Sequence, residues 1–106
     1  MTGEDAIFRA LADPTRRAIF ERLTHGENTV KQLTARFDVS QPAISQHLST
    51  LRRAGLVAER QEGRFAYYRI EPGGLRPLLT WIEHYQAFWL EKLPKLKALL
   101  EEMDDE

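Results

Sequence analysis

The residue pattern specifies a mainly α chain with a small β-hairpin, in the order α-α-α-α-β-β-α. Three features carry that reading. Apolar residues recur at helical spacing through most of the chain. Two β-prone runs on either side of Gly63 interrupt that period. From Leu75 onward the apolar positions recur in steps of three or four, close to 3.5 on average, the mark of a helix lying along another helix. A length of 106 residues leaves room for one domain, spanning 1–106, with its activity on a single small core or between copies of the chain.

The first helix is expected from about Glu4 to Ala12, with Ile7, Phe8 and Leu11 on one side. Asp13 and Pro14 then read as an N-cap and an N1 proline, since the carboxylate accepts an orphan N–H and proline has no donor to waste. The second helix keeps Ala18, Ile19 and Leu23 at helical spacing and ends near His25-Gly26, with Asn28 as a further stop signal. Thr29 to Gln32 has capping-box form and opens a third helix carrying Leu33 and Phe37. After the turn Phe37-Asp38-Val39, Ser40 caps a fourth helix of about 41–54, in whose first turn Pro42 is tolerated. Gly55 ends it, after Arg52 and Arg53 in the last turn, where cations suit the negative end of the helix dipole.

Leu56 to Arg60 and Phe65 to Ile70 read as strands joined by the turn Gln61-Glu62-Gly63-Arg64, a candidate wing over about 56–70. Pro72-Gly73-Gly74 closes it. The remaining region, about 75–103, carries Leu78, Ile82, Tyr85, Trp89, Leu93, Leu96 and Leu100 on a single seam, which predicts a dimerisation helix. Pro94 is expected to kink or split it, because it lacks a donor and meets the carbonyl of Leu90. The aromatic group Trp81, Tyr85, Phe88 and Trp89 is read as dimer core in preference to a ligand pocket, since the seam accounts for most of it.

Hydrophobic residues at 42% and charged residues at 29% are the balance of a folding globular chain rather than a disordered one. No apolar run of about 18 residues is present, and the N-terminus has early acids where a secretory signal has bases, so a cytoplasmic location without a membrane partner is expected. Cysteine is absent, which closes disulfide, thiolate-metal and thiol-redox chemistry. The net charge of -1 hides an asymmetry: residues 13 to 69 carry ten Lys/Arg against six Asp/Glu, whereas 70 to 106 carry four against eight. Attraction to phosphate depends on the face presented and not on the chain total, so the middle of the chain is the candidate nucleic-acid surface. The acidic end from Glu101 to Glu106 is read as a frayed, solvated terminus.

The fourth helix shows why. With 100° per residue, Leu48 and Leu51 fall within about 40° of Ile44 and form its buried stripe. The opposite face holds Pro42, Ser45, Gln46, Ser49 and Arg53, with Gln41 at the open N-terminus and Arg52 on the flank. An ordinary exposed helix favours Glu and Lys, yet residues 41 to 51 carry no charge, which suits a surface that approaches a polyanion closely. Short hydroxyls and amides can pair with base edges in a major groove, and guanidiniums with phosphate or guanine. Downstream, the hairpin adds Arg60, Arg64 and Arg69.

Asp13 to Arg17 as DPTRR, Val39 to Val57 as VSQPAISQHLSTLRRAGLV, and Gly63 to Arg69 as GRFAYYR resemble, in order and spacing, the ArsR/SmtB family of bacterial winged-helix repressors. The resemblance covers nearly the whole chain. It implies a winged helix-turn-helix fold, a homodimer formed through the first and last helices, and repression at a partly palindromic operator on double-stranded DNA, often that of the protein's own operon. On this alignment Ser40, Gln41, Ser45, Gln46 and Ser49 match the start and exposed face of the recognition helix, and Arg64 matches the wing tip. The resulting expectation is DNA contact by Ser40, Gln41, Ser45, Gln46, Ser49, Arg52, Arg53 and Arg64. The dimer interface is expected at Ile7, Leu11, Leu78, Ile82, Tyr85, Trp89, Leu93 and Leu96.

The chain departs from the metal-sensing members. Their Cys-x-Cys-type site lies on the helix matching Thr29 to Phe37, where this chain has Thr, Val, Lys and Gln. On the last helix Glu83 and His84 lack the further ligands that a metal site needs, and His47 is read as a packed, hydrogen-bonded histidine beside the buried stripe. No metal and no cofactor are expected, and the inducer, a small molecule or a protein, is left open. No nucleophile elbow, phosphate loop or metal cluster supports an enzyme. The alternative reading is an interaction module that uses its C-terminal helices and has lost DNA binding.

Overall fold

The computed structural model describes residues 2–104, apart from the side chains of Trp89 and Asp104. Helices α1 (Gly3–Ala12), α2 (Pro14–Leu23), α3 (Val30–Arg36) and α4 (Gln41–Arg53) precede a hairpin of β2 (Val57–Glu62) and β3 (Phe65–Ile70), and α5 (Arg76–His84) and α6 (Gln86–Asp104) follow it. A two-residue strand β1 (Asn28–Thr29), not foreseen from the residue pattern, pairs antiparallel with β3 and completes a sheet of order β1-β3-β2. Asn28, read as a helix stop, is the first residue of that strand and is buried.

The helix starts are written in capping chemistry. Asp13 accepts from the Arg16 N–H at 2.9 Å, with Pro14 at the first helical position. At α3 the Thr29 hydroxyl accepts from the Gln32 N–H while the Gln32 side chain returns to the Thr29 N–H at 2.8 Å, a reciprocal capping box. A similar box, Thr2 with Asp5, opens α1. Ser40 caps α4 through the Ala43 N–H at 3.3 Å. At the other end of α4 the Leu56 N–H reaches the Leu51 carbonyl and the Gly55 N–H the Arg52 carbonyl, both at 3.0 Å, with Gly55 at φ +79°. This is a Schellman stop, and its apolar pair Leu51 and Leu56 is fully buried.

Those caps aim one face of each helix inward. Ile7, Ile19, Leu33, Ile44, Leu48, Leu51 and Leu56 lose all contact with solvent and form the core, with Ala10, Leu23 and Val57 closing around them. On α1 the inward pair is Ile7 and Ala10, whereas Phe8 is 44% exposed and meets the Trp81 ring edge-on at 5.4 Å. The stripe Ile44, Leu48 and Leu51 seats α4 by its inner side alone, leaving its outer side to solvent.

The hairpin is tighter than its residue pattern suggests. Glu62 pairs directly with Phe65, so Gln61 and Glu62 belong to β2 and the turn is only Gly63 and Arg64. Gly63 has φ +60° and Arg64 does not, the arrangement of a two-residue turn with glycine in its first central position.

The C-terminal region divides at Tyr85 and not at Pro94. The Tyr85 N–H turns back to the Ile82 carbonyl at 3.0 Å, and its backbone leaves the helical region at φ -107°, ψ 6°. Pro94 lies inside α6 without a break in the element. Its missing donor is tolerated because the described side chains of α6 are all exposed, where water can serve the Leu90 carbonyl. The helix also continues to Asp104 where a frayed end was expected. Arm-like α6 stretches the molecule to 59 × 32 × 22 Å and a radius of gyration of 18.1 Å. A compact domain of this length would have a radius of gyration of about 13 Å.

Candidate nucleic-acid interface

Helix α3, the turn after Phe37 and helix α4 form a helix-turn-helix, and the β2–β3 hairpin follows α4 directly. The 13 residues of α4 span about 20 Å at the ordinary helical rise. Its outer side presents Gln41, Ser45, Gln46, Ser49 and Arg53, all exposed, with Ser40 exposed at the cap. The structure therefore gathers the expected contact residues of this helix onto one continuous surface. The Ser40 hydroxyl is already accepting from Ala43, which leaves it a donor for a partner. Thr50, half-buried at the edge of that surface, donates to the Gln46 carbonyl at 3.2 Å.

The arginines divide into tethered and open ones. Arg52, expected on the DNA-facing surface, donates from its Nη1 to Glu59 Oε2 of β2 at 2.7 Å while its side chain stays 59% exposed. Its principal contact is a tie between the recognition helix and the hairpin. Glu59 lies opposite Tyr68 in the sheet, and the Tyr68 pKa is pushed up by burial and then by the charge of that carboxylate. Arg60, counted with the basic hairpin, is neutralised. It forms a fork on Glu27, Nε to Oε2 and Nη2 to Oε1 both at 3.2 Å, reaches Glu62 at 2.7 Å, and lies 4.8 Å from the centre of the Tyr67 ring. The Glu27 carboxyl is held below its ordinary value chiefly by the Arg60 hydrogen bonds. Arg64 at the hairpin tip and Arg69 on β3 are exposed, and among the described residues neither makes an ion pair. Glu27 and Glu59 thus hold the hairpin to the body, roles that pattern reasoning missed.

His47 is half-buried beside the stripe as expected, but its Nδ1 is buried without a hydrogen-bond partner among the described residues. The Asp13 carboxyl is held below its usual value first by the Arg16 N–H and further by the charge of His47. Among the described residues no group of three or more His, Cys, Asp or Glu stands ready for a metal ion, and no helix is long and apolar enough to cross a membrane.

The expected interface residues have different fates. Ile7 is corrected: at 0% exposure it belongs wholly to the core of its own chain and has no surface for a second copy. Leu11 and Leu78 are half-buried against the same core. Ile82, Tyr85, Leu93 and Leu96 are exposed at 43%, 42%, 52% and 51%, and the side chain of Trp89 lies outside the described residues. Trp81 bridges Phe8 and Tyr85, placing an open aromatic row where α1 meets α5.

Residues 11–60 match a family described as a helix-turn-helix domain. The chain is 41% identical over 102 residues to the HTH-type transcriptional regulator Rv2034 of Mycobacterium tuberculosis, covering 96% of this chain and 92% of that protein. It is 33% identical over 79 residues to the transcriptional repressor SdpR of Bacillus subtilis, covering 74% and 88%. Among solved structures it resembles an ArsR-like transcriptional regulator from Rhodococcus sp. RHA1, with a TM-score of 0.74 and 31% identity over 92% of each chain. An ArsR family transcriptional regulator, RHA00566, gives a TM-score of 0.75 at 34% identity, covering 83% of this chain and 97% of that one. On this identity and coverage, the chain belongs to the ArsR/SmtB family of winged helix-turn-helix transcriptional regulators.

Proposed function

We propose that the protein binds double-stranded DNA as a homodimer in the cytoplasm and represses transcription of its own or a neighbouring operon. The observation that carries this is the outer side of α4, a row of exposed, short, uncharged side chains beside an exposed arginine at a hairpin tip. Such a helix fits a major groove with Gln41, Ser45, Gln46 and Ser49 against base edges. Arg53 and Arg64 would then meet phosphates, which position the protein without reading sequence. Arg52 contributes by holding the hairpin at a constant angle to the helix through Glu59.

Dimerisation is supported by α5 and α6. A helix that leaves Leu93, Leu96, Leu99 and Leu100 each more than half exposed has no reason to persist alone, and a second copy is the partner that supplies a matching face. Leu11, Leu78, Ile82, Tyr85 and Trp89 extend that seam toward α1. Release from DNA by a small-molecule or protein inducer, acting without a thiolate metal site, belongs to the same reading.

The test is selection of duplex fragments from the source genome at low ionic strength, followed by footprinting. Protection of two half-sites about one helical turn apart, roughly 34 Å, is expected from paired recognition helices. Absence of measurable affinity for every fragment overturns the proposal, and protection of a single half-site overturns the dimer.

A further inference from the structure

A cleft of about 410 Å³ opens beside the recognition helix, between α1, the start of α2 and the end of α4. Its lining brings together Arg9, Arg16 and Arg53, and among the described residues no acidic one. Ala6, Ala10 and Ala54 leave the space between them. Arg16 is fixed in place: its Nε donates to the Ala10 carbonyl at 2.6 Å and its Nη2 lies 3.5 Å from the Arg9 carbonyl. Arg53 spans two settings, since its residue lies on the outer side of α4 and also lines the cleft, with Nε 3.5 Å from the Ser49 carbonyl and Nη2 3.5 Å from the Thr50 hydroxyl.

Helix ends explain part of this charge but not all of it. The carbonyl ends of α1 and α4 each present about half a negative charge, together about one, against three guanidiniums. Two acids interact with these arginines, Asp5 with Arg9 and Asp13 with Arg16. Both are held at the positive starts of α1 and α2, by Thr2 and by the Arg16 N–H, and neither lines the cleft. The three arginines outnumber the charge of those helix ends, and their planar forks, suited to paired oxygens, are complementary to an oxyanion.

We infer that this cleft is an oxyanion site for a phosphate-type group, one of whose ligands, Arg53, is shared with the proposed DNA-facing surface. The group has two sources, a free small-molecule phosphate or a backbone phosphate of bound duplex. A free anion drawing Arg53 inward lowers duplex affinity, and by linkage duplex lowers anion affinity by the same factor. That consequence rests on the DNA-binding reading; occupancy of the cleft by the free anion does not.

The experiment titrates the full chain, without DNA, with inorganic phosphate at constant ionic strength and follows the arginine Nε–Hε and Ala10 amide signals by NMR. Saturation at one site is expected, weakened at least tenfold by Arg9→Gln, whose exposed position leaves folding intact, and weakened less by Arg9→Lys, which keeps the charge and loses the fork. A second arm measures duplex affinity against salt. If the occupant is a free anion, Arg9→Gln leaves the slope of log K against log salt unchanged and inorganic phosphate displaces duplex beyond its ionic-strength effect. If the occupant is the DNA backbone, the slope falls by about one for the lost contact. Linear, unsaturated shifts alike in wild type and Arg9→Gln, together with an unchanged slope and no such displacement, overturn the site. Loss of all duplex affinity with a saturable phosphate titration would instead overturn the DNA-binding reading alone.

Discussion

Arg52 and Arg53 are chain neighbours with separate duties. Arg52 turns toward Glu59 and holds the hairpin, while Arg53 stays on the outer side of α4. Gln46 and Arg64 divide the proposed work of recognition in a similar way. Gln46→Ala should relax preference at one base pair by about 1 to 3 kcal/mol while leaving the salt slope alone, whereas Arg64→Ala should weaken every duplex and flatten that slope by about one. Fluorescence anisotropy on matched and single-mismatch duplexes reads both. Equal losses from both variants on all sequences would remove the assignment. Ser40 separates folding from binding more sharply still. Ser40→Ala removes the cap of α4 and should lower stability in urea by about 1 kcal/mol. Ser40→Asp keeps an equally good cap but sets a negative charge against the phosphates, so stability should hold while duplex affinity falls.

Among the elements, the hairpin depends on its anchors. Arg60→Gln should free the wing from Glu27, seen as faster amide exchange in β2 and weaker duplex binding, with the α4 core unchanged. Acid acts on the same link. The folded-state pKa of Glu27 lies below its unfolded value, so this carboxylate contributes stability above the ordinary carboxylate range and loses it as pH falls through the depressed folded value. Wing protection factors, which divide out the intrinsic pH dependence of amide exchange, should therefore fall on acidification in the native chain and be nearly independent of pH in Glu27→Gln.

The hairpin also shows where sequence reading stops. Helix caps at Asp13, Thr29 and Ser40 were legible because capping is local, and the exposed side of α4 followed from angle alone. The register of the sheet was not legible, since a turn taken as four residues fixes no cross-strand partners. Once the turn is Gly63 and Arg64, Glu59 faces Tyr68 and Arg60 faces Tyr67, and the charge ties appear. Strand β1 is two residues long, too short to display an alternation, and its pairing with Tyr67 and Tyr68 is a tertiary fact. The break at Tyr85 has no proline or glycine to announce it, whereas Pro94, which does announce one, sits where solvent tolerates it.

At the scale of the molecule, the arm α5–α6 separates the stability of the body from that of the assembly. Leu48→Ala removes a fully buried side chain and should cost about 2 to 5 kcal/mol of body stability. Leu93→Lys with Leu96→Lys touches only exposed positions, so the body should melt as before while sedimentation shows a monomer and duplex affinity drops by at least tenfold. A dimer that persists in that double variant would move the interface elsewhere.

A rod of 19 residues without a core of its own makes the chain answerable to its own abundance. In the proposed dimer, scarcity of copies leaves the rod bare by mass action, and a bare apolar segment is what proteases cut first. On that proposed dimer, scarcity then shortens lifetime and plenty prolongs it, and the level at which the protein persists is set in part by how well its last helix finds another.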